Sequence, residues 1–127
     1  VIHLDRHKLR GIGETLAWLA GRRRRVRIVG DSMLPTLAAG QYVLVDEGRS
    51  PRPGQLALAR HPHQHDLLVV KRVLATTADG RFELISDNPG AGTDSRTWGP
   101  VDPDRVLGAV TLLLDRPSTR LERPDRA

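Results

Sequence analysis

Val26-Arg27-Ile28-Val29-Gly30-Asp31-Ser32-Met33-Leu34-Pro35-Thr36-Leu37-Ala38-Ala39-Gly40-Gln41-Tyr42-Val43-Leu44-Val45 is the stretch from which the rest of the chain can be organised. The branched aliphatics at its two ends predict strands over Val26 to Val29 and Gln41 to Val45, because side chains branched at Cβ pack well on a pleated surface. Between them, glycine at both ends and a proline in the middle interrupt regular structure. The connection therefore places a serine just beyond the end of a strand, where its hydroxyl can be exposed.

Working outward, Ser50-Pro51-Arg52-Pro53-Gly54 reads as a turn and Gln55 to Arg60 as the next strand. A polar loop, His61-Pro62-His63-Gln64-His65, leads into a strand over Asp66 to Ala75. Ala78-Asp79-Gly80 turns a hairpin into Arg81 to Ser86. Residues 87 to 100 are rich in Asn, Gly, Pro and Asp and read as an irregular loop, and Arg105 to Leu114 reads as a final long strand. On the N-terminal side, Leu9, Ile12, Leu16 and Leu19 recur at helical spacing, and Gly21 follows as a stop, so residues 8 to 20 read as a short amphipathic helix. About six strands with short turns define a compact, mostly β domain. The expected organisation is an N-terminal helix and basic segment over residues 1–25, one β domain over 26–116 and a charged tail over 117–127.

With 127 residues the chain has room for one modest core. Hydrophobic residues make up 39% and charged residues 28%, and the only aromatics are Trp18, Tyr42, Phe82 and Trp98, so burial is expected to be aliphatic. The net charge of +5 is partly concentrated in Arg22 to Arg25 and Arg27. No helix-turn-helix pattern or aromatic platform accompanies that run, so it reads as a solvated flank and a nucleic-acid partner is not expected. There is no cysteine, which excludes disulfides and thiolate metal sites. No apolar stretch approaches the roughly 18 to 20 residues of a membrane span. The expected location is cytoplasmic, with peripheral association with a membrane left open.

Ser32 by itself supports two readings. It, or Asp31, could cap a helix that Gly40 stops, and capping serines are far commoner than nucleophilic ones. As a nucleophile it would need a base within hydrogen-bond reach. The Gly-x-Ser-x-Gly pattern is not met, because Leu34 stands where the second glycine would be, so a Ser-His-Asp triad is unsupported. Lys71 offers a different base. The chain holds 20 Lys and Arg, yet only Lys8 and Lys71 are lysine. Arginine cannot give up its proton in a protein, whereas a desolvated lysine can. On a strand, Leu67, Val69, Lys71, Val73 and Ala75 share one face, which surrounds the amine with apolar neighbours. A lysine that snorkels to solvent is the competing reading.

Gly30-Asp31-Ser32-Met33-Leu34-Pro35-Thr36-Leu37, with Gly40 and Val43-Leu44-Val45, resembles the nucleophile box of bacterial type I signal peptidases. Val69-Val70-Lys71-Arg72-Val73 is similar to the lysine box of that family. Ser86-Asp87-Asn88-Pro89, Thr93-Asp94-Ser95-Arg96 and Gly99-Pro100-Val101 are similar to its third box. Three boxes in order, over roughly residues 26 to 114, are far more specific than any one of them. The resemblance implies a signal-peptidase/LexA-type catalytic core with a Ser/Lys dyad, Ser32 as nucleophile and Lys71 as general base. It also implies site support from Gly30 and from the Ser32 backbone N–H, a bracing ion pair between Asp94 and Arg96, and a lysine-orienting role for Ser95. Met33 and Pro35 of the nucleophile box are expected to contact substrate. Gly30 stands where some members carry a hydroxyl donor, Gly92 replaces a family serine, and Gln55 replaces an acidic residue.

Only a hairpin separates the lysine box from the third box, where large signal peptidases insert a second β domain. This minimal form is most similar to the small proteases that mature nickel-type superoxide dismutase by removing a short leader. The partner so implied is a protein precursor with a cleavable N-terminal leader, and no metal or cofactor is required. Other readings are processing of secreted pre-proteins, a self-cleaving protein of the LexA type, and a catalytically silent domain that binds peptides by strand addition. His61, His63 and His65 alternate as metal ligands can, but Pro62 and the loop setting favour a polar surface loop.

Overall fold

The computed structural model describes residues 22–114. Among these, six strands form a single antiparallel sheet: β1 (Arg23–Arg27), β2 (Tyr42–Asp46), β3 (Leu56–Arg60), β4 (Leu68–Thr76), β5 (Phe82–Ile85) and β6 (Val106–Leu114). Their order across the sheet is β1-β2-β6-β3-β4-β5, so the last strand is threaded into the middle. One short helix, α1 (Ser95–Trp98), follows β5. The mostly β architecture is the one expected, and the strands fall within a few residues of their predicted positions. The predicted helix over residues 8 to 20 and the tail after Pro117 lie outside the described residues. No helix among the described residues is long and apolar enough to cross a membrane.

Strand β3 shows how the sheet divides its core. Leu56 and Leu58 point to one face and pack with Ile28, Met33, Leu37, Val43, Val45 and Val70. Ala57 and Ala59 point to the other face, beside Val73, Phe82, Leu84 and Val101. Full burial of a side chain such as Leu58 contributes about 2 kcal/mol, so each face supplies a substantial share of the stability. The alanines have a second consequence. They leave room on their face for larger groups, and Lys71 of β4 is the register partner of Ala57.

The arginine run differs from the flank expected of it, because the strand predicted from Val26 begins at Arg23. A buried carboxylate explains the difference. Asp46 is fully buried at the end of β2 and accepts from Arg22 Nε and Nη2 at 3.2 and 2.9 Å and from Gly48 N at 2.9 Å. Burial pushes its carboxyl up, but the Arg22 hydrogen bond, the Gly48 N–H and the charges of Arg22 and Arg23 outweigh that and hold it below the usual range. Arg24 pairs with Glu47 at 2.6 Å, and Arg25 stacks over Tyr42. The run thus bonds β1 to β2 while its outer surface stays exposed.

The ladder is irregular at three places, between Leu44 and Val45, between Leu58 and Ala59, and between Val73 and Ala75. Each is an extra residue on one strand, which bends it and increases its twist. At the centre of the sheet Gly108 of β6 runs so close to β2 that a Cβ there would lie 2.4 Å from Asp46 O. Because the obstacle is backbone, it cannot swing aside. Gly108→Ala is therefore expected to lower the unfolding free energy by about 3 kcal/mol, the upper end for overpacking, in a urea titration.

Candidate active site

Ser32 sits in the connection that leaves β1, beyond Gly30, whose φ of +83° is a left-handed conformation that glycine adopts without strain. The segment turns without forming a helix, so Ser32 is not a helix cap. Buried Met33 and Leu37 anchor it to the core, and the Leu34-Pro35 peptide within it is cis. The stretch after β5 holds it from the other side. Asn88 N donates to Ser32 O at 2.8 Å and Asn88 Nδ2 to Asp31 O at 3.0 Å. Arg72 Nε and Nη2 donate to the two oxygens of Asp87 at 2.9 and 2.7 Å, and Thr36 Oγ1 donates to the same carboxylate at 2.5 Å. The turn bearing the serine is thereby tied to both strands of the β4-β5 hairpin.

Lys71 lies inside β4, 4% exposed, on the face that carries Ala57 and Val73. Its Nζ is 3.2 Å from Ser32 Oγ and 2.9 Å from Ser86 Oγ. Among the described residues no carboxylate lies within ion-pair distance of it. Burial pushes the Lys71 amine down from its ordinary value, and the more distant charge of Asp94 only partly opposes that shift. The snorkelling alternative does not describe this side chain, since its charged end is turned inward.

A buried carboxylate stands behind the pair. Asp94 caps α1 by accepting from Arg96 N at 3.0 Å, and Arg96 Nη2 donates to it at 2.6 Å. It also accepts from the backbone N of Ser86 at 2.8 Å. Burial pushes the Asp94 carboxyl up, but the hydrogen bonds from Arg96 and Ser86 prevail and hold it well below the usual carboxylate range. Ser95, expected to orient the lysine, does something else. Its Oγ accepts from Leu84 N at 2.9 Å, because α1 turns that side chain toward β5. The hydroxyl that meets Lys71 is that of Ser86, a residue of the third box to which the resemblance assigns no individual role. A hairpin register drawn back from the Ala78-Asp79-Gly80 turn is the signal available, and it points one residue beyond Ser86, to Asp87.

A cavity of about 350 Å³ opens beside Ser32 and Lys71. Ile28, Met33, Leu58 and Val70 give it aliphatic walls, and the exposed side chains of Val29, Leu67 and Leu68 stand around its mouth. Met33 is thus both core and cavity wall. Pro35, expected with it to contact substrate, is exposed in the turn and does not line the cavity. One edge of β4 is also open here. The strand pairs with β3 from Leu68 to Arg72, but with β5 only from Arg72 onward, so the backbone of Leu68 to Val70 has a strand on one side alone.

The three histidines do not converge. His61 is buried against Trp98, with ring centroids 4.8 Å apart, and its Nδ1 accepts from the backbone N of His63 and Gln64 at 3.0 and 3.1 Å. Burial, with the charges of His63 and Lys71, keeps its ring neutral by pushing its pKa down. His63 and His65 are exposed. His61 therefore organises its loop through its unprotonated nitrogen.

A mostly β sheet that brings a serine hydroxyl and a buried amine together at a cavity is the architecture of serine peptidases of the LexA and signal-peptidase type. The sequence profile of the Peptidase S24-like family matches residues 17–99 of the 127, and the chain belongs to that family. No curated protein matches the chain.

Two stability tests follow from the electrostatics. An ammonium buried without a carboxylate destabilises the fold, so Lys71→Met is expected to raise the melting temperature at pH 7 by a few degrees. Because the folded-state pKa is depressed, the unfolded chain binds the extra proton. The wild type therefore gains stability as pH rises toward about 10.4, and its gap from the variant narrows on that side. Asp94→Asn should have the opposite sign, costing about 1–3 kcal/mol at neutral pH because Ser86 N loses a charged acceptor. That difference should fade as pH falls below about 4, where the unfolded wild type takes up a proton on Asp94 that the folded chain, with its lowered pKa, does not.

Proposed function

We propose that the protein is a serine endopeptidase in which Ser32 is the nucleophile and Lys71 the general base. The observation that carries this reading is the 3.2 Å approach of Lys71 Nζ to Ser32 Oγ, made by an amine whose burial lowers its pKa. As a neutral amine Lys71 accepts the hydroxyl proton while Ser32 Oγ bonds to the scissile carbonyl carbon. The ammonium then returns that proton to the leaving nitrogen as the C–N bond breaks, and water releases the acyl group by the same route. No described residue accepts a hydrogen bond from Ser32 N–H, which leaves it able to donate to the developing oxyanion.

The open edge of β4 and the aliphatic cavity beside it suit an extended peptide that adds as a strand and places a small aliphatic side chain next to the serine. The preferred substrate is a separate protein precursor carrying an N-terminal leader, with nickel-type superoxide dismutase precursor as the specific candidate. The LexA-type self-cleaving reading is supported by the family match and makes a different prediction.

Co-expression with a nickel superoxide dismutase precursor, followed by the mass of its N-terminus, tests the assignment. Cleavage is expected with the intact chain, and both Ser32→Ala and Lys71→Met should lower it by about 10³-fold or more. The rate should rise with pH as Lys71 loses its proton and level off below about 10.4, because burial lowers the pKa of the amine. An uncut leader beside a processed secretory pre-protein would overturn the substrate assignment. Two fragments from the pure chain after alkaline incubation would instead establish self-cleavage. Unchanged cleavage by both variants would remove the dyad itself.

A further inference from the structure

A general base must present its lone pair in one direction, and a lysine amine rotates freely about its last bond unless something holds it. A neutral amine has two N–H bonds and one lone pair. Lys71 Nζ has two polar neighbours within hydrogen-bond distance, Ser32 Oγ and Ser86 Oγ. If Ser86 accepts one N–H, the lone pair is free to face Ser32. Ser86 is itself held in place, since the residue is 3% exposed and its backbone N–H is bonded to Asp94 Oδ2.

Gly92 occupies the remaining side. A Cβ at that position would lie 3.6 Å from Lys71 Nζ and 3.1 Å from Ser32 Cβ, and the backbone there is extended, a conformation any residue adopts. A hydroxyl carried at 92 would therefore reach the same amine. This chain has none there, and among the described residues Ser86 is the one group besides Ser32 within hydrogen-bond distance of the nitrogen.

We propose that Ser86 is the positioning residue for Lys71, fixed from behind by Asp94, and that a serine introduced at position 92 can substitute for it. The inference rests on the peptidase reading for its catalytic consequence but not for the contact itself. Asp94, held by Arg96, accepts from the backbone N–H of Ser86 and so positions that residue, while its charge acts on the amine from a distance. The brace meets Ser86 at its backbone N–H and the base meets it at its hydroxyl, so this one residue links the two.

Two readouts test it on the full chain. Acetylation of Ser32 by p-nitrophenyl acetate, located by peptide mass, reports the base at work. The ¹⁵N signals of the lysine side chains report the amine directly, and with only Lys8 and Lys71 in the chain, Lys71→Met assigns them. Ser86→Ala should slow acetylation by about 10- to 100-fold. It should also move the Lys71 titration to lower pH, because an acceptor favours the ammonium form. Ser86→Thr should retain both properties, and Gly92→Ser in the Ser86→Ala background should restore most of the rate. Wild-type acetylation and an unmoved titration in Ser86→Ala would overturn the inference. So would a slowed rate that neither Ser86→Thr nor Gly92→Ser repairs, which would mark a packing role. If the wild type takes up no acetyl group at Ser32, the peptidase reading fails, while the Nζ titration still decides the role of Ser86.

Discussion

The amine of Lys71 is buried against two hydroxyls, and much of the surrounding structure follows from that placement. In water an ammonium is well solvated, whereas inside β4 it finds neutral oxygens and aliphatic walls. Charge is therefore disfavoured where a proton acceptor is wanted. A carboxylate in direct contact would have undone this by stabilising the ammonium, and the nearby acid is held off the nitrogen by its commitment to Arg96 and Ser86 N. The destabilisation that results is local to one side chain, and the two hydrophobic faces of the sheet must offset it.

The sheet meets that demand through its alternation. Leucines of β3 fill one face, while alanines of the same strand open the other, where the alkyl stem of Lys71 is packed. The hairpin after β4 then returns the chain so that Ser86, Asp87 and Asn88 contact, in turn, the base, the clamp on Arg72 and Thr36, and the backbone of the serine turn. One short segment thus positions both members of the pair. Errors in its register would misplace both together.

That register depends on one extra residue. Pairing begins at the turn with Thr76 opposite Phe82, and without interruption it would set Lys71 opposite Asp87. The irregularity at Leu74 shifts the ladder so that Arg72 faces Ile85, which brings Ser86 opposite Lys71. Leu74 is accordingly exposed, displaced from the core by the bulge it forms. A hydroxyl instead of a carboxylate at the base is the chemical result. At the far side of the sheet the same economy of charge is reversed, since buried Asp46 remains ionised because Arg22, just before β1, and Arg23 within it reach it.

The sequence by itself determined the strands, the mostly β class and the boxes that bring Ser32, Lys71, Asp94 and Arg96 into consideration. These are local properties: branched residues favour pleated backbone, glycine and proline break it, and a rare lysine among arginines stands out chemically. Several assignments needed the tertiary structure. The arginine run is part of a strand because a buried carboxylate, Asp46, lies next to it. Pro35 is exposed in the serine turn, and Ser95 turns to the backbone of β5 and Ser86 meets the amine because a four-residue helix and a single bulge set those two directions. A bulge adds no distinctive residue type, so neither composition nor spacing announces it. The chemistry of the pair was legible in residue identity, whereas which hydroxyl aims the base was decided by a one-residue register shift that only the folded ladder contains.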